Sequence, residues 1–560
     1  MDEIELKGGI ETRDEGGAYR NIVIAGEIEA NEKRITNLLG KFIDKGHWGG
    51  YLSGQTKLEA AIKIPILFEN PNITSNLKLE LKADLENVAL SLPYPLGKQQ
   101  GAPDSLELMA ELSGVKRLLG IKTNSLDALF EIVPAGASQL ITRGGVGFGQ
   151  KAVLPTENGY RFIGRLERFS WAKWEPIIFP AENEIPLIDG DGAGGSQYFD
   201  VHIGRLEIFG SWFNETSVQA SSGAQLWSIH LSGDELAGEV FIPVVLSSAP
   251  LIINMEKLVV VRGDTTDEVE EDVYLDPRKM PEVKVSAKSF VFNTKNFGAL
   301  NLMASKIESG LHLDQFSMKT KYTDISATGD WVEVDGKQRS KFDILVNTSH
   351  LGKTITSWGF ADAFGGGKGD VRIKANWAGK PSGFSFEVAT GTMDINLKDA
   401  SLLDFELGAA KMAGLFIPRR LLLDFRDVFK KGMLFDSIKG KYQIEDGNAF
   451  TADLSLDGPM ADILMAGRIG LVAEDYDQLV TVNRRLVGDS ISTLAALAAN
   501  PLVNPLLAAQ VYALKKLFEK QIDDILSVQY TIKGSWEAPK ITPVVKNLKD
   551  RGAQIDELFE

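Results

Sequence analysis

The sequence contains no cysteine, so disulfide bonds and thiolate metal sites are excluded. It has no run of 18 apolar residues, so no helix is predicted to cross a bilayer. Acidic residues outnumber basic ones by 76 to 60, which gives a net charge of −16. Nucleic acid is therefore not an expected partner, because its phosphates require a basic surface. The opening residues, MDEIELKGG, lack the basic and apolar regions of a signal peptide.

Motifs that carry catalysis or hold cofactors are also missing. The histidines are too far apart for an H-x-x-x-H metal pair: His47, His202, His230, His312 and His350. The glycines Gly190, Gly192 and Gly195 match G-x-G-x-x-G, but the strand-like QYFDVHIG follows where a dinucleotide site needs a helix. We therefore expect no metal, no cofactor and no enzymatic activity.

What the sequence does contain is alternation of apolar and polar residues, most clearly over residues 450–482. Phe450, Ala452, Leu454 and Leu456 are predicted to share one side of a strand. After the turn at Gly458-Pro459 the pattern continues through Ile463, Met465 and Ile469, and then through Tyr476, Gln478, Val480 and Val482. Strict alternation indicates a β-strand with one apolar and one polar face.

The same pattern fills most of the 560 residues, joined by short polar or glycine turns and without evident linkers. We therefore predict a mainly β fold: a long, continuous antiparallel sheet curled into an elongated groove with a hydrophobic interior and short helices at its margins. The predicted segments are residues 1–275 and 276–488 of the groove, a helical segment at 489–526, and final strands with a tail at 527–560.

Residues on the best alternating strands are the candidates for the groove lining. An apolar face that no other part of the protein covers would bind lipid acyl chains, since removing each CH₂ group from water is favourable by about 0.8 kcal/mol. The predicted lipid-binding residues are Val371, Ile373, Phe384, Phe386, Ile395, Leu454, Leu456, Ile463, Met465, Ile469, Val480, Val482, Val528 and Tyr530.

Residues 489–526 depart from the β pattern, because apolar side chains recur there every three or four positions. The predicted stripe consists of Leu507, Val511, Leu514, Phe518, Ile522 and Ile525. One interpretation is that this segment caps the end of the groove and hides the last sheet edge. The other is that it lies on a membrane surface.

Several segments resemble the YhdP branch of the AsmA-like protein family. The strongest resemblance lies in the C-terminal half, and weaker similarity extends upstream over most of the chain: Leu275–Phe290, Ile417–Gly447, Leu456–Val482, Phe518–Pro539, Ala89–Lys98 and Tyr160–Trp174.

The resemblance implies a bridge-like lipid-transfer protein in the periplasm of a Gram-negative bacterium. The cargo would be glycerophospholipid, moved through a β-groove between the inner and outer membranes, in support of outer-membrane lipid homeostasis. Such proteins carry an N-terminal inner-membrane anchor, which this chain does not show. The resemblance does not identify partner proteins.

Two alternatives remain open. An envelope scaffold or assembly factor would use the apolar face as an ordinary core and carry no lipid. A carbohydrate-active β-solenoid enzyme would need carboxylates clustered on one face.

The two interpretations of the helical segment predict different results for a deletion of residues 506–526. If the segment lies on a membrane, the deletion should lower binding to phospholipid liposomes in a flotation assay. Unchanged binding would count against the membrane role.

Overall fold

The structure is a computed structural model. It describes residues 7–14, 19–31, 51–67, 77–112, 116–135, 138–178, 195–208, 211–245, 248–261, 276–359, 364–402, 433–459, 461–484 and 527–544. In these ranges the chain is mainly β, as predicted. The helices described there are α1 (Trp171–Ile178), α2 (Leu351–Ser357) and one 3-10 turn (Pro381–Gly383).

The chain divides into two compact units, Met1–Val245 with Ile253–Val273, and Leu246–Ile252 with Tyr274–Glu560. The first contains β1 (Lys7–Asp14), β2 (Tyr19–Asn31), β3 (Leu52–Leu67), β4 (Lys78–Asp84), β5 (Val88–Leu90), β6 (Ser105–Glu111), β7 (Arg117–Lys122), β8 (Leu126–Ala135), β9 (Ser138–Phe148), β10 (Gly159–Ser170), β11 (Ser196–Ile208), β12 (Ser211–Ser222), β13 (Leu226–Ser232) and β14 (Leu236–Pro243). Strand β15 (Leu251–Val260) is divided between the units.

The second unit contains β16 (Val283–Phe292), β17 (Lys295–Ile307), β18 (Gly310–Lys319), β19 (Thr323–Val334), β20 (Lys337–Thr348), β21 (Phe364–Ala378), β22 (Thr390–Leu402), β23 (Met433–Glu445), β24 (Asn448–Asp457), β25 (Ala461–Gly470), β26 (Asp475–Arg484), β27 (Ser527–Ser535) and β28 (Lys540–Pro543). Each pairs antiparallel with the next. No pairing between β16 and β28 occurs in the described residues, so this sheet is open.

The first unit differs from the predicted antiparallel order. Strand β10 pairs parallel with both β9 and β11, while the other pairings described in this unit are antiparallel. Parallel neighbours need a crossover in place of a tight turn. Strand β11 also confirms that a strand follows Gly195, as the sequence predicted, and not a helix.

A β-bulge in β24 corrects the predicted faces of Phe450 and Ala452. The register shifts between Thr451 and Leu454, so Ala449 and Thr451 share the buried face with Leu454. The extra residue reverses the alternation that the sequence shows on either side of it.

A buried carboxylate braces strands β8 and β9 of the first unit. Glu131 is 4% exposed and accepts hydrogen bonds from Arg143, Lys116 and Thr142. The hydrogen bond from Arg143 is the main cause that lowers the pKa of Glu131 to about 2, against the opposing effect of burial.

The lowered pKa of Glu131 predicts a specific loss of stability in acid. The ion pair stabilises the fold fully above the carboxyl's ordinary pKa of 4.5, and this contribution is lost as the pH falls from there towards about 2. Replacing Glu131→Gln should therefore lower the urea midpoint at pH 7 but have much less effect near pH 2. An equal effect at both pH values would contradict this role of the ion pair.

Candidate functional site

The candidate site is the apolar face of the sheet in each unit. In the second unit, backbone register places one residue from each strand in a continuous cross-strand row. This central row runs Val285, Leu302, Phe316, Ala327, Ile344, Ile373, Met393, Tyr442, Thr451, Gly467, Gln478, Ile532 and Ile541. At about 4.8 Å per strand, it extends roughly 58 Å along the sheet.

The opposite face of the same strands is charged and solvated. Arg372 donates to both carboxylate oxygens of Asp343 at 2.8 Å, and Lys441 pairs with Asp394 at 3.2 Å. These side chains keep the polar face in water, so the two faces differ sharply in chemistry. Surface pairs of this kind contribute little to stability, at most about 1 kcal/mol each.

The register shows where the predicted lining residues lie. Val371 pairs with Ile395 beside the central row, and Ile373 lies in it. Further along, two rows lie on the same face: Leu454, Met465, Val480 and Tyr530, and then Leu456, Ile463, Val482 and Val528. Ile469 pairs with Tyr476 on this face too.

Exposure divides this face into two parts. From β16 to β21 most apolar side chains are partly exposed, including Ile344, Val371 and Ile373. From β22 to β27 they form a filled core. Eight predicted lining residues are at most 3% exposed there: Ile395, Leu454, Leu456, Ile463, Met465, Ile469, Val480 and Val482. These eight side chains are packed into one hydrophobic cluster, and their role as lipid lining stays a prediction.

Two other predicted lining residues do not lie on a strand. Phe384 and Phe386 fall between β21 and β22, just after the turn at Pro381–Gly383, and are 40% and 45% exposed. Their rings pack edge to face at 5.5 Å, and Phe384 also contacts Trp377 at 5.2 Å. The strand predicted at this position is wrong, because the turn breaks the alternation. The predicted helical stripe from Leu507 to Ile525 lies outside the described residues.

Polar groups interrupt the central row within the filled core. Tyr442, Thr451 and Gln478 are at most 2% exposed, and Gly467 separates the last two. Burial raises the pKa of Tyr442 well above its usual range. The Tyr442 hydroxyl and the Gln478 amide have no hydrogen-bond partner among the described residues. A buried group left unpaired costs about 1–3 kcal/mol, so this row is a weak point of the core.

The first unit carries an apolar row that the sequence did not single out as lining. It runs Gly26, Ala60, Leu81, Leu108, Ile121, Ala128, Val146, Phe162, Phe199, Ala220, Ile229 and Val240. The Phe162 and Phe199 rings stack with centroids 4.3 Å apart. Ile24 and Ile62, one pair along from the start of the row, are each 38% exposed. The alternation of apolar and polar residues in β4, β6 and β7 is the sequence pattern that could have predicted this row.

A small apolar cavity of about 470 Å³ lies beside the face in the second unit. Phe292, Phe297, Ile325 and Trp358 line it, and the Trp358 ring stacks on Phe297 with centroids 6.2 Å apart. The cavity adds accessible apolar surface next to β19.

No group of three or more His, Asp or Glu side chains in the described residues is arranged to hold an ion. None of the helices described there has the length and apolar character needed to cross a membrane.

Comparison of the sequence with known proteins identifies its family. The family model described as YhdP protein matches residues 9–541, so the chain belongs to the YhdP family, as the resemblance predicted.

A curated relative is the intermembrane phospholipid transporter YhdP of Escherichia coli K12. The two are 23% identical over an alignment of 538 positions, which covers 90% of this chain and 40% of the relative. The chain thus spans less than half the length of that relative. No solved structure matches the chain.

The two parts of the apolar face should respond differently to truncation. Met465→Ala should lower the free energy of unfolding by about 2–5 kcal/mol, because it opens a cavity in a filled core. Ile373→Ala should cost only about 1 kcal/mol, because its side chain is already partly in water. Urea denaturation followed by circular dichroism measures both, and equal losses would contradict the division.

Proposed function

We propose that this chain is a segment of a phospholipid conduit that crosses the periplasm of a Gram-negative bacterium between the inner and outer membranes. The observation that carries the proposal is the pair of continuous apolar rows, partly exposed along β16–β21 and at β2–β3, on strands whose other face is charged. Membership of a family that includes an intermembrane phospholipid transporter supports it.

The apolar face would hold acyl chains while the headgroup stays in water. A sixteen-carbon chain in bare water is disfavoured by on the order of 12 kcal/mol relative to an apolar surrounding. A continuous row of Leu, Ile, Val and Phe side chains removes much of that barrier at every strand. A conduit of this kind needs no catalytic residues and supports outer-membrane lipid homeostasis by supplying phospholipid.

The lining in this proposal is shorter than the sequence suggested. In the second unit it comprises the partly exposed residues Val285, Leu302, Phe316, Ile344, Val371 and Ile373. The filled core of β22–β27 would end the lipid path, or would have to open before lipid passes. In the first unit, the row from Gly26 to Val240 has the same apolar chemistry.

The filled core also supports the second candidate, a structural scaffold of the cell envelope. Side chains that are 0–3% exposed across β22–β27 are what a protein without cargo would show. The scaffold hypothesis, however, leaves the partly exposed rows of β16–β21 without a role, because exposed apolar surface of that extent usually marks a binding site.

A charge on the exposed part of the row should remove lipid without unfolding the protein. We expect purified wild-type chain to carry phospholipid in a chloroform extract analysed by mass spectrometry. Ile373→Glu should lose most of this lipid, because an ionised carboxylate is costly to place beside acyl chains.

Ser326→Glu is the matched control, since Ser326 is exposed on the opposite face of β19. It should retain lipid, and the circular dichroism spectra of both variants should match the wild type. Wild-type protein free of lipid would favour the scaffold, and lipid retained by Ile373→Glu would contradict the proposed lining.

A further inference from the structure

A polar pocket lies on the charged face of the first unit, on the side opposite the apolar row. It has a volume of about 900 Å³ and is centred on β10 and β11, the strands of the parallel pairings. Its position separates it from the lipid-contacting surface proposed above.

The crossover between β9 and β10 builds one wall of the pocket. Residues 149–158 return across the polar face of β9, directly over Gly145 and Gly147. A Cβ on Gly145 would lie 2.5 Å from the Val153 carbonyl oxygen, and one on Gly147 would lie 2.2 Å from that of Gln150. Only glycine permits this approach, so the two glycines allow the wall to form.

The segment around Tyr94 also lines the pocket. The Trp174 indole donates to the Tyr94 carbonyl oxygen at 2.9 Å, and the Tyr94 hydroxyl accepts from the Glu167 backbone N–H at 3.3 Å. Helix α1 thereby holds Tyr94 in place beside the pocket. The pocket is a built feature of the fold, and it lies where strand order departs from a simple meander.

Some charged groups at the pocket are already engaged with one another. Arg165 donates to both carboxylate oxygens of Glu215 at 3.0 and 3.2 Å, and His202 contacts Glu215 at 2.7 Å. The His202 contact is the first cause of the lowered pKa of Glu215, followed by Arg165. This network shapes the pocket but offers little free charge.

Three other charged groups face the pocket without a full partner. The Arg161 guanidinium stacks on the Tyr198 ring at 5.6 Å, and its Nε atom is buried without a hydrogen bond in the described residues. Asp200 accepts only one long contact from Gln219, at 3.4 Å, and the Glu167 carboxylate is also unengaged in that part of the chain. The pocket therefore presents one available cation and two available carboxylates.

The spacing of these charges is set by the sheet. Arg161 pairs with Tyr198, so Asp200 is its diagonal neighbour on β11. Two residues along a strand and one strand across place their Cα atoms roughly 8 Å apart. The two side chains do not form an ion pair in this arrangement, and a ligand with both charges would fit between them.

We propose that this pocket binds a small zwitterion. Its phosphate or carboxylate would be held by Arg161 and its primary ammonium by Asp200. Phosphoethanolamine has this chemistry, because two carbons separate its phosphate from its ammonium. The ligand could be a free solute or the headgroup of a lipid, since both present the same groups. Charge-assisted hydrogen bonds at both ends would select it over a plain anion.

Calorimetric titration of the purified chain with phosphoethanolamine, phosphocholine and inorganic phosphate tests the proposal. Phosphoethanolamine should bind at least about tenfold more tightly than the other two, a ratio equal to about 1.4 kcal/mol. Arg161→Gln should weaken phosphoethanolamine and phosphate alike. Asp200→Asn should weaken phosphoethanolamine about tenfold and should not weaken phosphate, because it removes a negative charge near the anion. Arg339→Gln, an exposed arginine of the second unit, is the control and should change nothing.

Two results would overturn the proposal. One is the absence of binding heat with every compound, and the other is phosphate binding as tightly as phosphoethanolamine with no effect of Asp200→Asn. Matching thermal melts exclude unfolding as the cause of a loss. Retention of the chain by phosphatidylethanolamine nanodiscs but not by phosphatidylglycerol nanodiscs assigns the ligand to a lipid headgroup. Binding of the soluble compound alone assigns it to a solute.

Discussion

The backbone hydrogen-bond register is the constraint on which the rest of this structure depends. Because side chains alternate between faces, a pairing shifted by one residue would move every apolar side chain of a strand into water. The antiparallel pairings of β16–β28 keep thirteen consecutive residues of one row on the same face. Short hairpins such as Asp335-Gly336 and Asp446-Gly447 help to fix that register, since both residues of each pair have positive φ.

Two interruptions of the regular antiparallel pairing, the bulge in β24 and the crossover between β9 and β10, each produce a local feature. The bulge after Thr451 brings a hydroxyl into the core beside Tyr442, in the same row as Gln478. The crossover after Phe148 turns the polar face into a walled pocket. The apolar face thus gains a buried hydroxyl, and the polar face gains a chain segment that crosses it. Simple alternation along a strand predicts neither.

Much of the fold could be predicted from the sequence, because alternation over strands such as β21 and β25 is strict. It correctly placed Ile373 and Met465 on one face. Alternation records only which residues share a face, however, and not what covers that face. Whether Ile373 is partly open and Met465 fully enclosed depends on long-range packing. The turn at Pro381 and the bulge in β24 were missed because each changes the alternation within one or two residues.

The pocket around Arg161 was harder to foresee. Its residues come from β10, β11 and the segment near Tyr94, which are distant in sequence. The glycines of β9 do not by themselves reveal that the chain crosses its own sheet there. Long-range packing decides whether β9 and β10 pair parallel or as an antiparallel hairpin, and the periodicity of the sequence does not distinguish the two.

The simple meander of β16–β28 has a consequence for how such proteins change in size. Each hairpin contacts mainly the strands beside it, as in a linear array of repeats, so insertion or loss of a hairpin leaves distant strands undisturbed. Every added pair of strands would extend the array by about 10 Å. Small duplications of hairpins could therefore lengthen this array in steps of two strands.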